Sequence, residues 1–350
     1  MLTIRSDGAI AGRLKINNFD GLRLIFAAMV VLFHISILSQ SPSLAWMSRF
    51  ISATFAVQAF FFVSGFLVVM SWENSFGLLP YAKKRLFRIA PAYVVVVVGA
   101  ALLLSLVSDL GFVEYYSSPQ FWRYLSFNLV LANFNEPGLP GVFLNNHEMA
   151  INGSLWTIKI EVMFYCLVPF IVFLARRFGY KRVLPVIFIG SIFWKGGFSY
   201  AAQATESDMF FRLSKQLPGQ LSFFMAGSMA YYRTRDGLRP VGPIIAALSL
   251  FGYALSDGLL HESLAPIFVG CMVYFAAVGL PSLWSAKRIG DVSYGLYLYH
   301  FPLVQTLVAI GLFDSNPLGA TFLLISVVPI VAYISWWLIE KPSLVFAHNR

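Results

Sequence analysis

The sequence predicts an all-α, polytopic integral membrane protein with about ten transmembrane helices and both termini in the cytoplasm. Of its 350 residues, 58% are hydrophobic and only 12% are charged, whereas a soluble domain carries about 25% charged residues. Apolar runs near the length that crosses a bilayer as a helix, roughly 20 residues, recur along the chain. Short basic clusters separate them, which is the pattern of membrane topology signals.

The charge distribution predicts the orientation of these spans. With the N-terminus in the cytoplasm, 18 of the 25 Lys and Arg residues fall in inner segments and 5 in outer segments, as the positive-inside rule requires. We expect a cytoplasmic segment 1–18, a membrane domain 19–342 with an outer loop at about 109–156, and a cytoplasmic tail 343–350. The predicted spans are 19–39, 51–71, 89–108, 157–175, 183–199, 217–232, 241–257, 264–282, 290–311 and 318–339.

The outer loop contains a predicted interfacial helix. Its segment 118–134 is aromatic and amphipathic, which favours the membrane–water interface. Ser118 suits a helix cap and Pro119 suits the first helical position.

Composition also excludes some classes of function. The formal charge is +9, but the basic residues are dispersed between apolar runs and form no nucleic-acid-binding module. Cys166 and Cys271 both lie in apolar runs without metal-ligand spacing. We therefore expect a lipid bilayer as the environment, no nucleic acid as a partner and no metal.

The first span carries two ionisable residues on one face. Arg23 and His34 are eleven residues apart, which returns to within roughly 20° on a helix and rises about 16 Å. Ala27 and Val30 lie between them and are small enough to leave room for a thin ligand. A histidine inside a membrane is a functional candidate. The alternatives are a neutral His bonded to a neighbouring helix and an Arg that snorkels to the membrane surface or pairs with Asp20.

A second set of polar residues begins the fourth span. Thr157, Glu161 and Tyr165 share one helix face, and the topology puts Glu161 in the same outer half of the membrane as His34. A carboxylate can orient an imidazole that acts as a general base; the alternative is a hydrated interfacial Glu. Trp156 is either a platform for stacking a sugar or an interface-belt residue.

Two further segments have the pattern of functional sites. Arg85 and Arg88, in the basic cluster before the third span, could clamp phosphates, or serve as topology and lipid contacts. In the ninth span, His300 shares a face with Tyr297 and is either catalytic or structural, and Pro302 should free a backbone carbonyl near position 298. In the second span, Gly65 and its neighbour Ser64 should allow close helix packing.

These motifs together resemble the acyltransferase-3 family, the multi-pass membrane O-acyltransferases that modify bacterial surface and exported carbohydrates. The similarity runs from Phe19 to about Pro342. The matching elements are Arg23 with His34, Arg85-Leu86-Phe87-Arg88, Gly153-Ser154-Leu155-Trp156 with Glu161 and Phe164-Tyr165, and the stretches IGDVSYGLYLYHFP and WLIEKP.

The resemblance implies transfer of an acyl group, usually acetyl, from cytoplasmic acyl-CoA to a hydroxyl of an exported carbohydrate. It implies a bacterial inner-membrane location and allows polysaccharide-assembly proteins as partners. The expected roles are catalysis for His34 and Glu161, donor binding for Arg23, Arg85 and Arg88, and acceptor binding for Trp156, Asn152, Tyr165 and His300.

A second hypothesis is a transporter or flippase for a lipid-linked sugar or a small solute. Ten helices with a polar interior are compatible with it. Many transporters carry inverted repeats with paired broken helices, and the sequence shows no obvious repeat of this kind. Acyl transfer by the reconstituted protein would separate the two hypotheses.

Overall fold

The computed structural model describes residues 17–282 and 290–348. Within these ranges the chain is helical, and no strand is found. Most of the predicted N-terminal segment 1–18, the cations Lys287 and Arg288, and the last two residues of the predicted tail lie outside the described residues.

Sixteen α-helices occur in the described residues. The first eight are α1 Phe19–Ser39, α2 Ala45–Phe50, α3 Ala53–Glu73, α4 Leu78–Leu103, α5 Phe112–Ser117, α6 Pro119–Leu129, α7 Trp156–Phe178 and α8 Tyr180–Thr205. The next eight are α9 Asp208–Ser214, α10 Leu217–Arg235, α11 Pro243–Leu255, α12 Gly258–Tyr274, α13 Ser293–Ala309, α14 Leu312–Ser315, α15 Pro317–Ser335 and α16 Lys341–His348. Single 3₁₀ turns lie at Pro42–Leu44, Leu104–Val107 and Gly153–Leu155, and π-helical turns at Phe275–Gly279 and Trp336–Glu340.

The structure confirms a polytopic helical membrane protein, although it does not confirm the number ten. Seven helical stretches of the described chain are long and apolar enough to cross a bilayer: Phe19–Ser39, Pro42–Glu73, Leu78–Val107, Gly153–Phe178, Tyr180–Thr205, Gly258–Gly279 and Pro317–Ala347. The other three predicted spans coincide with α10, α11 and α13. The helices α11 and α13 have only 13 and 17 residues, and α10 is richer in polar residues.

The described residues divide into two compact units, which are described separately. Of the described residues, unit one takes those at 17–23, 57–81 and 160–282, and unit two takes those at 24–56, 82–159 and 290–348. In unit one, α8 packs against α9, α10 and α12, and α11 packs against α12. In unit two, α13 packs against α15 and against the 3₁₀ turn that precedes α7.

Two glycines bring α3 and α10 into backbone contact in unit one. A Cβ atom added at Gly65 would lie 1.9 Å from the carbonyl oxygen of Phe224, and one added at Gly227 would lie 1.9 Å from that of Phe62. Ser228 then donates a hydrogen bond of 3.3 Å to the carbonyl of Gly65 across the same contact. Small residues allow this close approach in membrane helices, so the close packing predicted at Gly65 is confirmed.

The predicted helix in the long loop of unit two is also confirmed. Pro119 is the first residue of α6, and the Ser118 hydroxyl accepts a hydrogen bond of 3.2 Å from the backbone N–H of Gln120. The preceding α5 inserts Tyr115, which is fully buried and donates a hydrogen bond of 2.8 Å to the carbonyl of Ala101. Burial raises the pKa of Tyr115 above its usual range, so this donor stays neutral.

We expect Gly65→Ala to lower the free energy of unfolding by about 1–3 kcal/mol, because the added methyl group forces two backbones apart. Gly99→Ala in α4 is the control, since nothing lies within 4 Å of its added Cβ and Ala is the better helix former. Thermal unfolding in detergent measures both. Equal stability of the two variants would contradict the close contact.

Candidate active site

The proline of α13 leaves a backbone carbonyl that a loop residue satisfies. Pro302 lies inside the helix and has no N–H to donate to the carbonyl of Leu298. The side-chain amide of Asn152 donates to this carbonyl at 2.9 Å. The freed carbonyl predicted near position 298 is therefore found, and its partner is a residue that was expected to bind the acceptor.

The segment around Asn152 is tied to α13 by further buried hydrogen bonds. The Ser154 hydroxyl donates to Oδ1 of Asn152 at 2.6 Å. Tyr297 Oη lies 2.6 Å from Thr157 Oγ1 and 3.1 Å from the carbonyl oxygen of Ser154. A Cβ atom at Gly153 would lie 2.8 Å from the Phe301 ring. The GSLW motif and the LYHFP motif thus form one packed polar contact within unit two.

The same contact brings the two membrane histidines together. Nε2 of His300 lies 3.0 Å from Nδ1 of His34, and the rings are stacked with centroids 5.0 Å apart. Nδ1 of His300 lies 3.1 Å from the carbonyl oxygen of Leu296. His300 is 0% exposed, whereas His34 is partly exposed. Phe301 contacts His34 edge-on, with centroids 5.1 Å apart.

Besides its contact with His300, His34 makes a backbone hydrogen bond with Val30, one turn earlier in the same helix. Within the described residues, no other side chain makes a hydrogen bond to its Nε2. The neighbouring positions are less open than expected, because Ala27 and Val30 are both 0% exposed. Room for a thin ligand was expected along that face, but both side chains are covered by the protein.

Glu161 has its own partners in unit one. Tyr165 Oη donates to Glu161 Oε1 at 2.5 Å, and Ser64 Oγ donates to the same oxygen at 3.3 Å. The hydrogen bond from Tyr165 confirms that positions 161 and 165 share a helix face. Tyr165 is in turn held by Tyr81, whose hydroxyl donates to its backbone carbonyl at 3.0 Å. The catalytic role of Glu161 and the acceptor-binding role of Tyr165 stay predictions.

Arg88 is the centre of an ion cluster in unit two. Its Nη2 lies 2.5 Å from Asp291 Oδ2 and its Nη1 lies 3.5 Å from Glu340 Oε2. Glu340, in the π-helical turn, is 2% exposed and also accepts a hydrogen bond from Ser335 at 3.2 Å. Ser293 donates to Asp291 Oδ1 at 2.5 Å. The guanidinium predicted to hold a donor phosphate is therefore already bonded to two carboxylates.

The other predicted site residues lie at partly exposed positions. Arg23 and Arg85 are both half-buried, and the Arg85 Nε atom is fully buried. Trp156 is 37% exposed, so part of its side chain is accessible. Lys159 lies over the ring of Phe134, with its Nζ 4.8 Å from the centroid. Donor binding by Arg23 and Arg85 and acceptor binding by Trp156 stay predictions.

Unit one also contains an open cleft, with several polar residues in its lining, that the sequence did not predict. Its volume is about 530 Å³, and it lies between the end of α8, α9 and the start of α12. Glu262 lines it and forms an ion pair of 2.5 Å with Lys195, which is 5% exposed. The cleft contains none of the predicted site residues. Among the described residues, no group of three or more His, Cys, Asp or Glu side chains could hold a metal ion.

The sequence missed the pairing of His34 with His300 and the two carboxylates on Arg88. The topology already put both histidines in membrane helices, but no spacing rule connects residues of helices so distant in sequence. Asp291 and Glu340 each lie in a motif of the resemblance, and a carboxylate at the end of an apolar run calls for a basic partner. That signal could have suggested Arg88 as their partner.

The structure is that of a polytopic helical membrane protein whose interior contains a pair of hydrogen-bonded imidazoles and an ion cluster around Arg88. Such polar groups inside a membrane protein indicate a functional site. A family model described as "Acyltransferase domain" matches residues 16–338. The chain therefore belongs to the acyltransferase-3 family and is an acyltransferase-type enzyme.

Curated relatives extend over the same region. An "O-acetyl transferase" of Shigella phage Sf6 is 27% identical over 94% of this chain and 96% of its own length. "Nodulation protein 10" of Rhizobium leguminosarum bv. viciae is 26% identical over 94% and 93%. "O-acetyltransferase OatA" of Staphylococcus aureus is 23% identical over 92% of this chain but only 56% of its own length. No solved structure matches the chain.

We expect Arg88→Ala to destabilise the protein by about 3–5 kcal/mol, because it removes a cation that is bonded to the buried carboxylate of Glu340. Arg88→Ala combined with Glu340→Gln should recover part of this loss, since the buried negative charge is then removed as well. Lys83→Ala is the control from the same basic cluster and should change stability by less than about 0.5 kcal/mol. Thermal unfolding in detergent measures all three. An unchanged melting temperature for Arg88→Ala would contradict the ion cluster.

Proposed function

We propose that this protein transfers an acyl group, in the first instance acetyl, from cytoplasmic acyl-CoA to a hydroxyl of an exported or cell-surface carbohydrate. The observation that carries the proposal is the His34–His300 pair, which leaves one nitrogen of a membrane imidazole available in a chain of the acyltransferase-3 family. Relatives named as O-acetyltransferases support acetyl as the group.

In this proposal His34 is the general base. Nε2 of His34 takes the proton of the acceptor hydroxyl as the oxygen attacks the thioester carbonyl carbon. The carbon–sulfur bond breaks, and the CoA thiolate receives the proton from the His34 imidazolium. The products are the carbohydrate ester and free CoA. A thioester is already activated, so no Ser or Cys nucleophile is required.

The donor and acceptor are assigned to opposite membrane surfaces. The charge asymmetry of the sequence supports a cytoplasmic position for Arg23 and Arg85, where guanidinium groups would hold the CoA phosphates. Arg88 has two carboxylate partners, so we assign it a supporting role in which it orders the basic segment. Trp156 is partly exposed and supplies a ring on which a sugar could stack.

Glu161 enters the proposal as a second polar group of the reaction. Both of its observed hydrogen bonds go to Oε1, and within the described residues none is found at Oε2. A carboxylate oxygen of this kind can accept a hydrogen bond from a sugar hydroxyl. We therefore propose that Glu161 assists catalysis by orienting the acceptor.

The family resemblance supports a location in a bacterial inner membrane, which is part of the same proposal.

We expect His34→Ala to reduce acyl transfer by about 10²–10⁴-fold, the usual contribution of a general base. The measurement uses purified protein in proteoliposomes, labelled acetyl-CoA and a polysaccharide acceptor, with thermal unfolding to show that the variant is folded. His261→Ala is the control histidine, because it lies in the cleft of unit one.

The same experiment tests the transport hypothesis. Movement of a sugar or solute without any acyl transfer by the wild-type protein would overturn the proposed function. Transfer that persists in folded His34→Ala would leave the family activity intact but remove His34 as the base.

We expect Arg85→Ala to raise the KM for acetyl-CoA by about 10- to 100-fold, because a charge-assisted hydrogen bond contributes about 1.5–3 kcal/mol. The KM for the carbohydrate should stay within about twofold of the wild-type value. Lys84→Ala removes one charge from the same cluster and is the control. If Arg85→Ala changed only the carbohydrate KM, Arg85 would belong to the acceptor site.

A further inference from the structure

We propose that His300 is a positioning residue that holds His34 in the tautomer with the proton on Nδ1, so that Nε2 is the basic nitrogen. The inference rests on the proposed role of His34 as the general base. It assigns His300 a role different from the acceptor binding expected from the sequence. It also gives the direction of each hydrogen bond in the chain from Leu296 to His34.

The direction begins at a backbone carbonyl. Nδ1 of His300 lies 3.1 Å from the carbonyl oxygen of Leu296. A carbonyl oxygen only accepts hydrogen bonds, so Nδ1 of His300 must carry the proton. His300 is 0% exposed, and a fully buried imidazole without a carboxylate partner is neutral because burying a charge is costly. Its Nε2 is then an acceptor with a free lone pair.

The second hydrogen bond follows from the first. Nδ1 of His34 lies 3.0 Å from Nε2 of His300. Because His300 Nε2 only accepts, Nδ1 of His34 must donate, and a neutral His34 then has its lone pair on Nε2. No other side chain of the described residues makes a hydrogen bond to this nitrogen. The fixed carbonyl of Leu296 thus favours, through His300, the tautomer in which Nε2 of His34 is the basic nitrogen.

The reverse arrangement is unfavourable for a definite reason. If His300 donated to His34, its unprotonated Nδ1 would face the lone pairs of the Leu296 oxygen at 3.1 Å. A buried hydrogen bond would be lost and two acceptors would be left opposed, which costs more than either alone. Aromatic packing limits rotation of the rings out of this arrangement, because Phe301 contacts His34 and Tyr297 contacts His300.

The arrangement also accounts for the proton during turnover. His34 Nε2 gains the proton of the acceptor hydroxyl, and its Nδ1–H continues to donate to His300. The positive charge is shared across this hydrogen bond, but the Leu296 carbonyl cannot take up a proton, so the chain ends there. The proton therefore returns through His34 Nε2 to the leaving thiolate. His300 is unchanged at the end of the reaction.

The tautomer can be measured in the resting protein without any activity. Protein labelled with ¹⁵N in its five histidines gives ring-nitrogen resonances that distinguish a protonated from an unprotonated nitrogen. A coupling between two ring nitrogens across the hydrogen bond identifies the pair. We expect the proton between the rings on His34 Nδ1 and no proton on His34 Nε2. A proton on His34 Nε2 in the wild-type protein would overturn the proposal.

Two substitutions of His300 separate its two hydrogen bonds. His300→Gln puts an amide oxygen near the position of Nε2 and keeps the acceptor for His34. His300→Asn is too short to reach His34 and keeps only the contact with Leu296. We expect kcat to fall by about 10- to 100-fold in His300→Asn, part of the general-base contribution. In His300→Gln, kcat should stay within about fivefold of the wild-type value.

The controls distinguish positioning from folding and from substrate binding. Tyr299 is the neighbour of His300 in the sequence, and its hydroxyl donates a hydrogen bond of 3.2 Å to Ser335. Tyr299→Phe removes this hydroxyl and should leave kcat unchanged. Both KM values should stay within about twofold in every His300 variant. Equal loss of kcat in His300→Gln and His300→Asn, or a change confined to KM, would overturn the positioning role. Wild-type turnover in folded His34→Ala would overturn the proposed base, whereas the resting tautomer would still test His300.

Discussion

The carbonyl of Leu298 is the constraint on which the structure of unit two depends. A membrane interior offers no water to a backbone group that loses its helical partner, so the carbonyl released by Pro302 needs a donor from elsewhere in the protein. Asn152 supplies it at 2.9 Å. This hydrogen bond fixes the segment around Asn152 against α13. Pro302 leaves the Leu298 carbonyl without a helical donor, and the side chain of Asn152 provides the missing hydrogen bond.

Docking at this point also fixes the rest of α13. Near its beginning, Asp291 binds Arg88 and accepts from Ser293. Near its end, the buried Gln305 donates to the loop carbonyls of Glu148 and Ala150 at 2.5 and 3.0 Å. His300 lies between these anchors and cannot shift along the helix axis without breaking several hydrogen bonds. A ring held in this way can orient a second ring, because its own position is determined by the surrounding protein.

The sequence predicts the local parts of this arrangement well and the long-range parts poorly. The helix that begins at Pro119, the close packing at Gly65 and the shared face of Glu161 and Tyr165 follow from rules that act within a few residues. The freed carbonyl near position 298 is also a local consequence of proline. Its donor could not be predicted, because nothing in a single sequence connects Asn152 with a helix 146 positions later.

The partners of Arg88 in the ion cluster also could not be predicted from the sequence. Four cations in six residues are compatible with a phosphate site and with topology or lipid contacts, and the family resemblance implied the phosphates of CoA. The structure supplies two carboxylates from the protein itself, Asp291 and Glu340. Arg88 therefore has carboxylates of the protein itself as partners, and its expected role in donor binding stays a prediction. Charge alone cannot distinguish an internal anion from an external one; only the three-dimensional partners can.

The choice of an imidazole as the partner of His34 fits the membrane setting. A carboxylate in that position would stabilise the imidazolium more strongly, but it would have to remain charged in the resting enzyme at a site that is fully buried. Buried charge is costly unless it is paired with a nearby opposite charge, as Lys195 is with Glu262 and Arg88 with Glu340. A neutral imidazole orients His34 through its lone pair without any resting charge. In the proposed reaction the thioester is activated enough for a base of ordinary strength, so a neutral partner for His34 is sufficient.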